Sequence, residues 1–362
     1  MLRFAMPLLT FIKKERPYIL FVVFILLFFL FVKFQMQDRA TQELTVSEEM
    51  KQMDEVMEEN LKNPEYLAAQ LKNHPFLSLS VNTSIILGML ALGIGAILNI
   101  LMIRKTWSGA PWLSAHSGTI EGDWGVSAVI RVVILFIFYS ASSNFIFLGL
   151  QNFIPDSLRH NFLIMAHATL MDFLAVFFVI HFVKKSHVSA LKAIGIRRFS
   201  EFWKEAFSGV KAYLATLPSF LMILFALISI SMLFSYEPPP HPLIHIFLEE
   251  EKRAPWLVVY ALLVACVLAP VVEEIFFRGF MYGALRKKWG AGWATVITSA
   301  FFAYIHNNWF AFLPIFFLSC VLCYLYEKRK TLITPVVLHV IHNSAFIFYF
   351  LLLKRLLVPE EW

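Results

Sequence analysis

Residues 270–280 read PVVEEIFFRGF, and the stretch before them, WLVVYALLVACVLA (256–269), carries no charge at all. A run of that length and composition suits a lipid bilayer, yet Glu273, Glu274 and Arg278 arrive within six residues of one another. Ionisable groups inside a membrane helix are costly and mark function. Glu274 and Arg278 stand four apart, so on a helix they share one face and pair. Glu273 is rotated from Glu274 by about 100° and keeps no local partner. Burial without a cation is one way to tune a carboxylate into a general base. The spacing therefore predicts two adjacent acids with two different roles. The basic stop Arg286-Lys287-Lys288 lies roughly 20 Å further along at 1.5 Å per residue, which sets the carboxylates well inside the bilayer.

The rest of the chain fits the same reading. Of 362 residues, 59% are hydrophobic and 38 are Phe, with a mean hydropathy of +0.69. Nine stretches are candidate spans: 17–34, 79–103, 127–150, 160–183, 210–234, 256–284, 290–308, 309–326 and 332–353. The expected fold is an all-α, polytopic membrane helix bundle, with the late boundaries open around Asn307-Asn308 and Pro314. The first span has a basic start, Lys13-Lys14-Glu15-Arg16, and no small-residue cleavage pattern after it, so it reads as an uncleaved signal anchor. Basic clusters at 13–16, 104–105, 184–185 with 197–198, 286–288 and 328–330 all fall on one side of the alternation. That side is the cytoplasm, with the N-terminus in it; Lys354 and Arg355 dissent. The net charge of +6 is spent on this orientation and does not indicate nucleic acid. Three regions follow: a signal anchor with an acidic extracytoplasmic linker (1–78), additional and core spans with a basic loop (79–250), and the late helices that carry the charges (251–362). The linker 35–78 reads as an amphipathic spacer and Pro238-Pro239-Pro240 as a stiff outer loop. The loop 184–204 reads as an amphipathic surface segment that attaches to anionic lipid.

Cys266, Cys320 and Cys323 all lie in apolar sequence. The pair at 320–323 has no second pair at zinc-site spacing, so all three are expected to be ordinary buried thiols. Asp172 in the fourth span either pairs with Arg131 in the third or lines a water path to the site. Ser142, Ser143 and Asn144 are expected to bond between helices, Trp256, Trp289 and Trp293 to anchor at interfaces, and Pro270 to kink its helix and loosen backbone groups beside the two acids.

Two further spans carry polar groups. FAYIH (302–306) ends on His306, one turn after Phe302. HVIHN (339–343) sets His339 and Asn343 four apart on one face, with His342 beside them. If these converge with Glu273, Glu274 and Arg278, the set contains a carboxylate base, imidazoles and an amide donor for an oxyanion, which is equipment for hydrolysis.

Glu-Glu-x-x-x-Arg, Phe-x-x-x-His and His-x-x-x-Asn, in that order and in successive membrane segments, resemble the CPBP family of intramembrane proteases. That family holds the CAAX prenyl proteases and the bacteriocin-processing or Abi-type enzymes. The resemblance covers roughly 255–350; the first 125 residues look like an addition. It implies that Glu273 activates water with help from His306, that His339 and Asn343 stabilise the oxyanion, and that Glu274 and Arg278 pair to hold the site. It also implies a membrane-protein or lipidated-peptide substrate. The family is often described as metalloproteases. In that version zinc sits on Glu273, His306 and His339, three protein ligands plus a water; a metal-free glutamate mechanism is the alternative. Two other classes stay open on the residues alone. One is a proton-coupled transporter, which also uses buried acids and histidines. The other is a non-catalytic membrane protein of binding or immunity type.

Overall fold

Apolar runs that are hydrophobic all round must bury every backbone polar group internally, and in lipid the helix does this. The computed structural model of the chain describes residues 15–27, 48–109, 124–150, 156–184, 192, 195, 201–234, 236 and 242–358, and among them finds helices and no strand. We number the helices α1 (15–27), α2 (Glu48–Lys62), α3 (Pro64–Asn73), α4 (Pro75–Trp107), α5 (Val126–Leu150), α6 (Asp156–Val183), α7 (Phe202–Leu233) and α8 (Pro242–Arg253). The run Pro255–Tyr304 follows. Gly290 breaks it with a φ of 77°; the part before is α9 (255–289) and the part after α10 (291–304). Trp309–Arg329 is α11 and Ile333–Leu357 is α12.

Seven of the described helical runs are long and apolar enough to cross a membrane, and the chain is a multi-pass membrane protein. The expected spans 256–284 and 290–308 are one such run, divided by Gly290. The expected first span is described only over 15–27. The late boundary falls at Asn307, with a left-handed φ of 49°, and at Asn308, whose Oδ1 accepts from Ala311 N at 3.0 Å. Pro314 interrupts nothing: it is buried inside α11.

The linker's described part is two polar helices. Asn60 of α2 donates to the carbonyl of Leu357 at 2.8 Å, so the acidic helix caps the end of α12. Residues 35–47, Pro238–Pro240 and most of 184–204 lie outside the described residues. Lys354 and Arg355 no longer count as free cations, since both bind Glu251 of α8. All three cysteines are free thiols, and Trp256, Trp289 and Trp293 are surface-exposed.

Close helix contact is set by small residues. Asn99 of α4 donates to Ala215 O of α7 at 2.8 Å, beside the helical Pro218, and Gly95 lets the two backbones approach. Gly209 does the same for α7 against Thr334 and Val337 of α12. Glu205 at the start of α7 takes the guanidinium of Arg329 at the end of α11, and Thr334 donates to it at 2.8 Å. One buried clamp thus ties α7, α11 and α12 together. Beneath the two acids, Phe276, Phe277, Phe280, Tyr282, Phe302 and Tyr326 form an aromatic core against α5 and α6.

Candidate active site

The segment that carries the acids is not a plain α-helix. Val264–Leu268 is π-helical, Ala269–Glu274 returns to α, and Ile275–Tyr282 is π-helical again. Single π turns inside α-helices cluster at functional sites because they rotate side chains and release carbonyls. Pro270 sits just after the first π turn, where its missing N–H and its ring are accommodated by the wider register.

Arg278 and Glu274 pair as the spacing predicts: guanidinium Nη1 donates to Glu274 Oε1 at 2.8 Å, and both side chains are completely buried. Arg278 Nη2 also donates to Ser319 Oγ at 2.7 Å, and the guanidinium stacks on Phe302 at 4.7 Å. His339 comes in from α12. Its Nδ1 lies 2.9 Å from the same Glu274 oxygen and its Nε2 lies 3.6 Å from Glu273 Oε2. A carboxylate only accepts, so Nδ1 donates to Glu274, and Nε2 turns toward Glu273. The Glu273 side chain is 26% exposed while that of Glu274 is 0%; of the two acids, Glu273 is the less enclosed by protein.

The structure therefore brings Glu273, Glu274, Arg278 and His339 together directly. His306 is placed beside them through Phe302, whose ring centroid is 4.8 Å from His306 and 5.9 Å from His339. Phe302's carbonyl accepts from His306 Nδ1 at 2.6 Å, which fixes the tautomer and leaves Nε2 as an acceptor. His342 turns the other way, onto Phe220 of α7 at 4.7 Å. Asn343 is not aimed at Glu273: its Nδ2 donates to Ala265 O in the first π turn at 3.0 Å.

Asp172 does not pair with Arg131. Arg131 is taken by Glu15 of α1, because α1 packs on α5 through Phe21, Phe24 and Phe138. Asp172, on α6, has no hydrogen bond or ion pair among the described residues and lies within Coulombic reach of Glu273. Ser143 bonds back to Ser140 O in its own helix at 2.9 Å rather than across helices, Ser142 Oγ finds no partner among the described residues, and the Asn144 side chain lies outside them. Ser319 and Ala265 escaped the sequence reading. A serine facing an arginine across helices looks like any small residue in an apolar run, and a backbone carbonyl gives no signal at all.

Glu273, His306 and His339 are not gathered into a ligand set: among the described residues no three His, Cys, Asp or Glu side chains converge as a metal ion requires. Each imidazole keeps Nε2 outside these bonds, since His339 gives Nδ1–H to Glu274 and His306 gives it to Phe302 O. What the arrangement does offer is a carboxylate incompletely enclosed by protein, an imidazole next to it, and a second carboxylate neutralised by arginine behind both.

Residues 255–345 match the family of type II CAAX prenyl endopeptidases described as Rce1-like. YdiL of Bacillus subtilis is 28% identical over 83 residues, covering 23% of this chain and 34% of YdiL. The UPF0177 protein YxdF of Lactococcus lactis is 31% identical over 75 residues, covering 20% of this chain and 40% of YxdF. The membrane-embedded CAAX protease MroQ of Staphylococcus aureus is 29% identical over 101 residues, covering 26% of this chain and 38% of MroQ. The chain thus spans between a third and two fifths of the length of these relatives. No solved structure matches it. The segment of the molecule that holds Glu273, Glu274, Arg278, His306, His339 and Asn343 is thus the one that is similar to the Rce1-like type II CAAX prenyl endopeptidases.

Proposed function

We propose that the protein is an intramembrane endopeptidase of CAAX-protease type, and that Glu273 activates the water that attacks the peptide bond. The observation that carries this is the division of labour between the two acids. Glu274 is neutralised by Arg278 and bonded to His339; Glu273 has no arginine or lysine partner and is the less enclosed of the two. In the reaction Glu273 takes a proton from water as the oxygen attacks the carbonyl carbon. The tetrahedral intermediate carries its negative charge on the former carbonyl oxygen. Collapse breaks the C–N bond, and the proton passes from Glu273 to the leaving amine. His306 Nε2 is free to accept from the same water. His339 Nε2, the imidazole nitrogen 3.6 Å from Glu273, donates to the developing oxyanion in the doubly protonated form of the ring, which the Glu274 carboxylate on Nδ1 supports. Asp172 extends the polar wall from α6. The substrate is a membrane protein or a lipidated C-terminal peptide, reached from lipid or from the cytoplasmic side. The basic clusters support an orientation with the N-terminus in the cytoplasm, and in a bacterium the plasma membrane as its location.

The test is cleavage by purified protein in lipid, wild type against Glu273→Gln, on farnesylated and unmodified membrane peptides, with and without chelator. Wild-type cleavage that drops by about a thousandfold in Glu273→Gln is expected. Cleavage that survives the substitution removes Glu273 from its role. Loss in chelator with recovery on added zinc replaces the metal-free scheme by one in which Glu273, His306 and His339 rearrange around the ion.

A further inference from the structure

Six cations gather where α9 and α11 end: Arg286, Lys287 and Lys288 on the first, and Lys328, Arg329 and Lys330 on and just after the second. The two ends are bound to each other. Glu327 accepts from Arg286 Nε at 2.7 Å and Nη2 at 2.8 Å, from the Tyr282 hydroxyl at 3.0 Å and from Lys330 Nζ at 2.7 Å, while Glu205 takes Arg329. Two carboxylates thus answer three of the six charges. The other three, Lys287, Lys288 and Lys328, are exposed and have no carboxylate partner among the described residues. Each ammonium lies instead over an aromatic face: Lys287 over Trp124 at 5.7 Å, Lys288 over Trp289 at 4.9 Å and Lys328 over Tyr324 at 5.8 Å. A ring face attracts a cation without neutralising it, and like charges crowded at one end of a helix pair repel. The patch is short of an anion.

Its surroundings select which anion. Trp289, Trp293 and Tyr324 are exposed, and exposed Trp and Tyr at the end of an apolar span sit at headgroup depth. Between the two tryptophans the chain turns at Gly290, with φ of 77°, and a Cβ built at Gly290 or Gly292 meets nothing within 4 Å, so the turn is open. From Trp293 an apolar edge runs on into the span through Val296, which is also exposed. A phosphate at the level of the lysines with an acyl chain along Trp293 and Val296 is the form of a phospholipid; a soluble anion uses the charges and leaves the apolar edge idle. Basic sites between helix ends at a membrane surface hold anionic headgroups in this way. We infer that the joined ends of α9 and α11 form a binding site for the headgroup of an anionic phospholipid, with Lys288 and Lys328, one from each helix, as its cations. Bound there, the lipid ties the α9–α10 turn to α11, the helix that also supplies Ser319 to Arg278, and so stabilises the helix pair behind the two glutamates. The site is independent of the protease reading.

The end of α4 is the matched control: Arg104 and Lys105 are likewise exposed and without a carboxylate partner among the described residues, but they stand on a single helix. Three proteins are compared in neutral detergent: wild type, Lys288→Gln with Lys328→Gln, and Arg104→Gln with Lys105→Gln. Each variant loses two charges. All are titrated with phosphatidylglycerol, with phosphatidylcholine and with inorganic phosphate. Bound lipid is counted by native mass spectrometry, and unfolding is followed by circular dichroism, since a ligand that binds the folded state alone raises the melting temperature. Phosphatidylglycerol, and neither of the other two, is expected to raise it in wild type and in the α4 variant. The Lys288/Lys328 variant is expected to bind phosphatidylglycerol about tenfold or more weakly. Equal binding by all three proteins overturns the inference, and so does an equal loss in both variants, since surface charge anywhere would then suffice. Equal stabilisation by phosphatidylcholine or by inorganic phosphate overturns the assignment to an anionic lipid. If the paired variant does not fold, Lys328→Gln is measured alone against Lys105→Gln by the same count of bound lipid; weaker binding in Lys328→Gln supports the site, and no difference overturns it.

Discussion

Arg278 is buried from every side, and its charge is answered by Glu274, Ser319 and the face of Phe302. Removing one partner of a buried ion pair strands the other, at a cost of about 3–5 kcal/mol. Arg278→Leu is therefore expected to destabilise the fold severely, and Glu274→Gln combined with Arg278→Leu to recover part of the loss; melting curves in detergent measure both. Ser319→Ala removes a single bond to a charged group, about 1.5–3 kcal/mol at most, and the Ser319 carbonyl remains nearby to soften it. The charges themselves were plain in the sequence, because few reasons justify a glutamate or arginine in an apolar run. Their pairing was plain too, since a four-residue spacing needs only a helix. Ser319 and Phe302 as the other neighbours of Arg278 were not: both are ordinary residues for a membrane helix, and only the crossing of α9, α10 and α11 brings them there.

Two glycines govern how closely α7 is approached by its neighbours. A Cβ at Gly95 would lie 2.3 Å from Leu214 O, and one at Gly209 would lie 2.7 Å from Thr334 O. Neither backbone can yield without moving a helix, so Gly95→Ala and Gly209→Ala should each cost about 1–3 kcal/mol. Gly93→Ala, with nothing within 4 Å, is the matched control on the same helix and should be neutral; the three are compared by melting temperature. Sequence hydropathy located these helices, and a proline in an apolar run announced an irregularity near 270. It also separated the spans 256–284 and 290–308, which Gly290 divides, but it did not reveal that the irregularity near 270 is a π turn rather than a simple kink, nor that Pro314 sits within an unbroken helix. Those outcomes depend on which carbonyls find donors on other helices.

The tertiary pairings, taken together, were the least legible. Arg131 had an acid of the right sign in the next span, Asp172, and instead takes Glu15 from a helix more than a hundred residues earlier in the chain. Periodicity shows which face of a helix is polar and leaves open which helix comes to meet it. The same applies to Glu251, whose carboxyl is held below its ordinary value of 4.5 chiefly by the hydrogen bond from Lys354, with Arg355 adding to it. A carboxylate with a lowered folded-state pKa stabilises the fold above its ordinary range, and the contribution disappears as pH falls through the lowered value. Wild type should thus be more stable than Glu251→Gln at neutral pH. The gap should close on acidification from about pH 7 to about pH 3; a gap that widens toward acid would contradict the pairing. The effect is modest because the pair is partly solvated.

The two buried clamps differ in when they can close. Glu274 and Arg278 lie four residues apart on one helix, so the segment carries its own counter-ion and enters the bilayer with one charge already cancelled as soon as it coils. Glu205 and Arg329 are 124 residues apart. During synthesis Glu205 cannot meet Arg329 until α11 has been made. Insertion of α7 is therefore provisional, and its near end is sealed only by the arrival of α11 and α12. Faults in biogenesis should collect at that final step, with quality-control proteases finding α7 before any other part of the bundle.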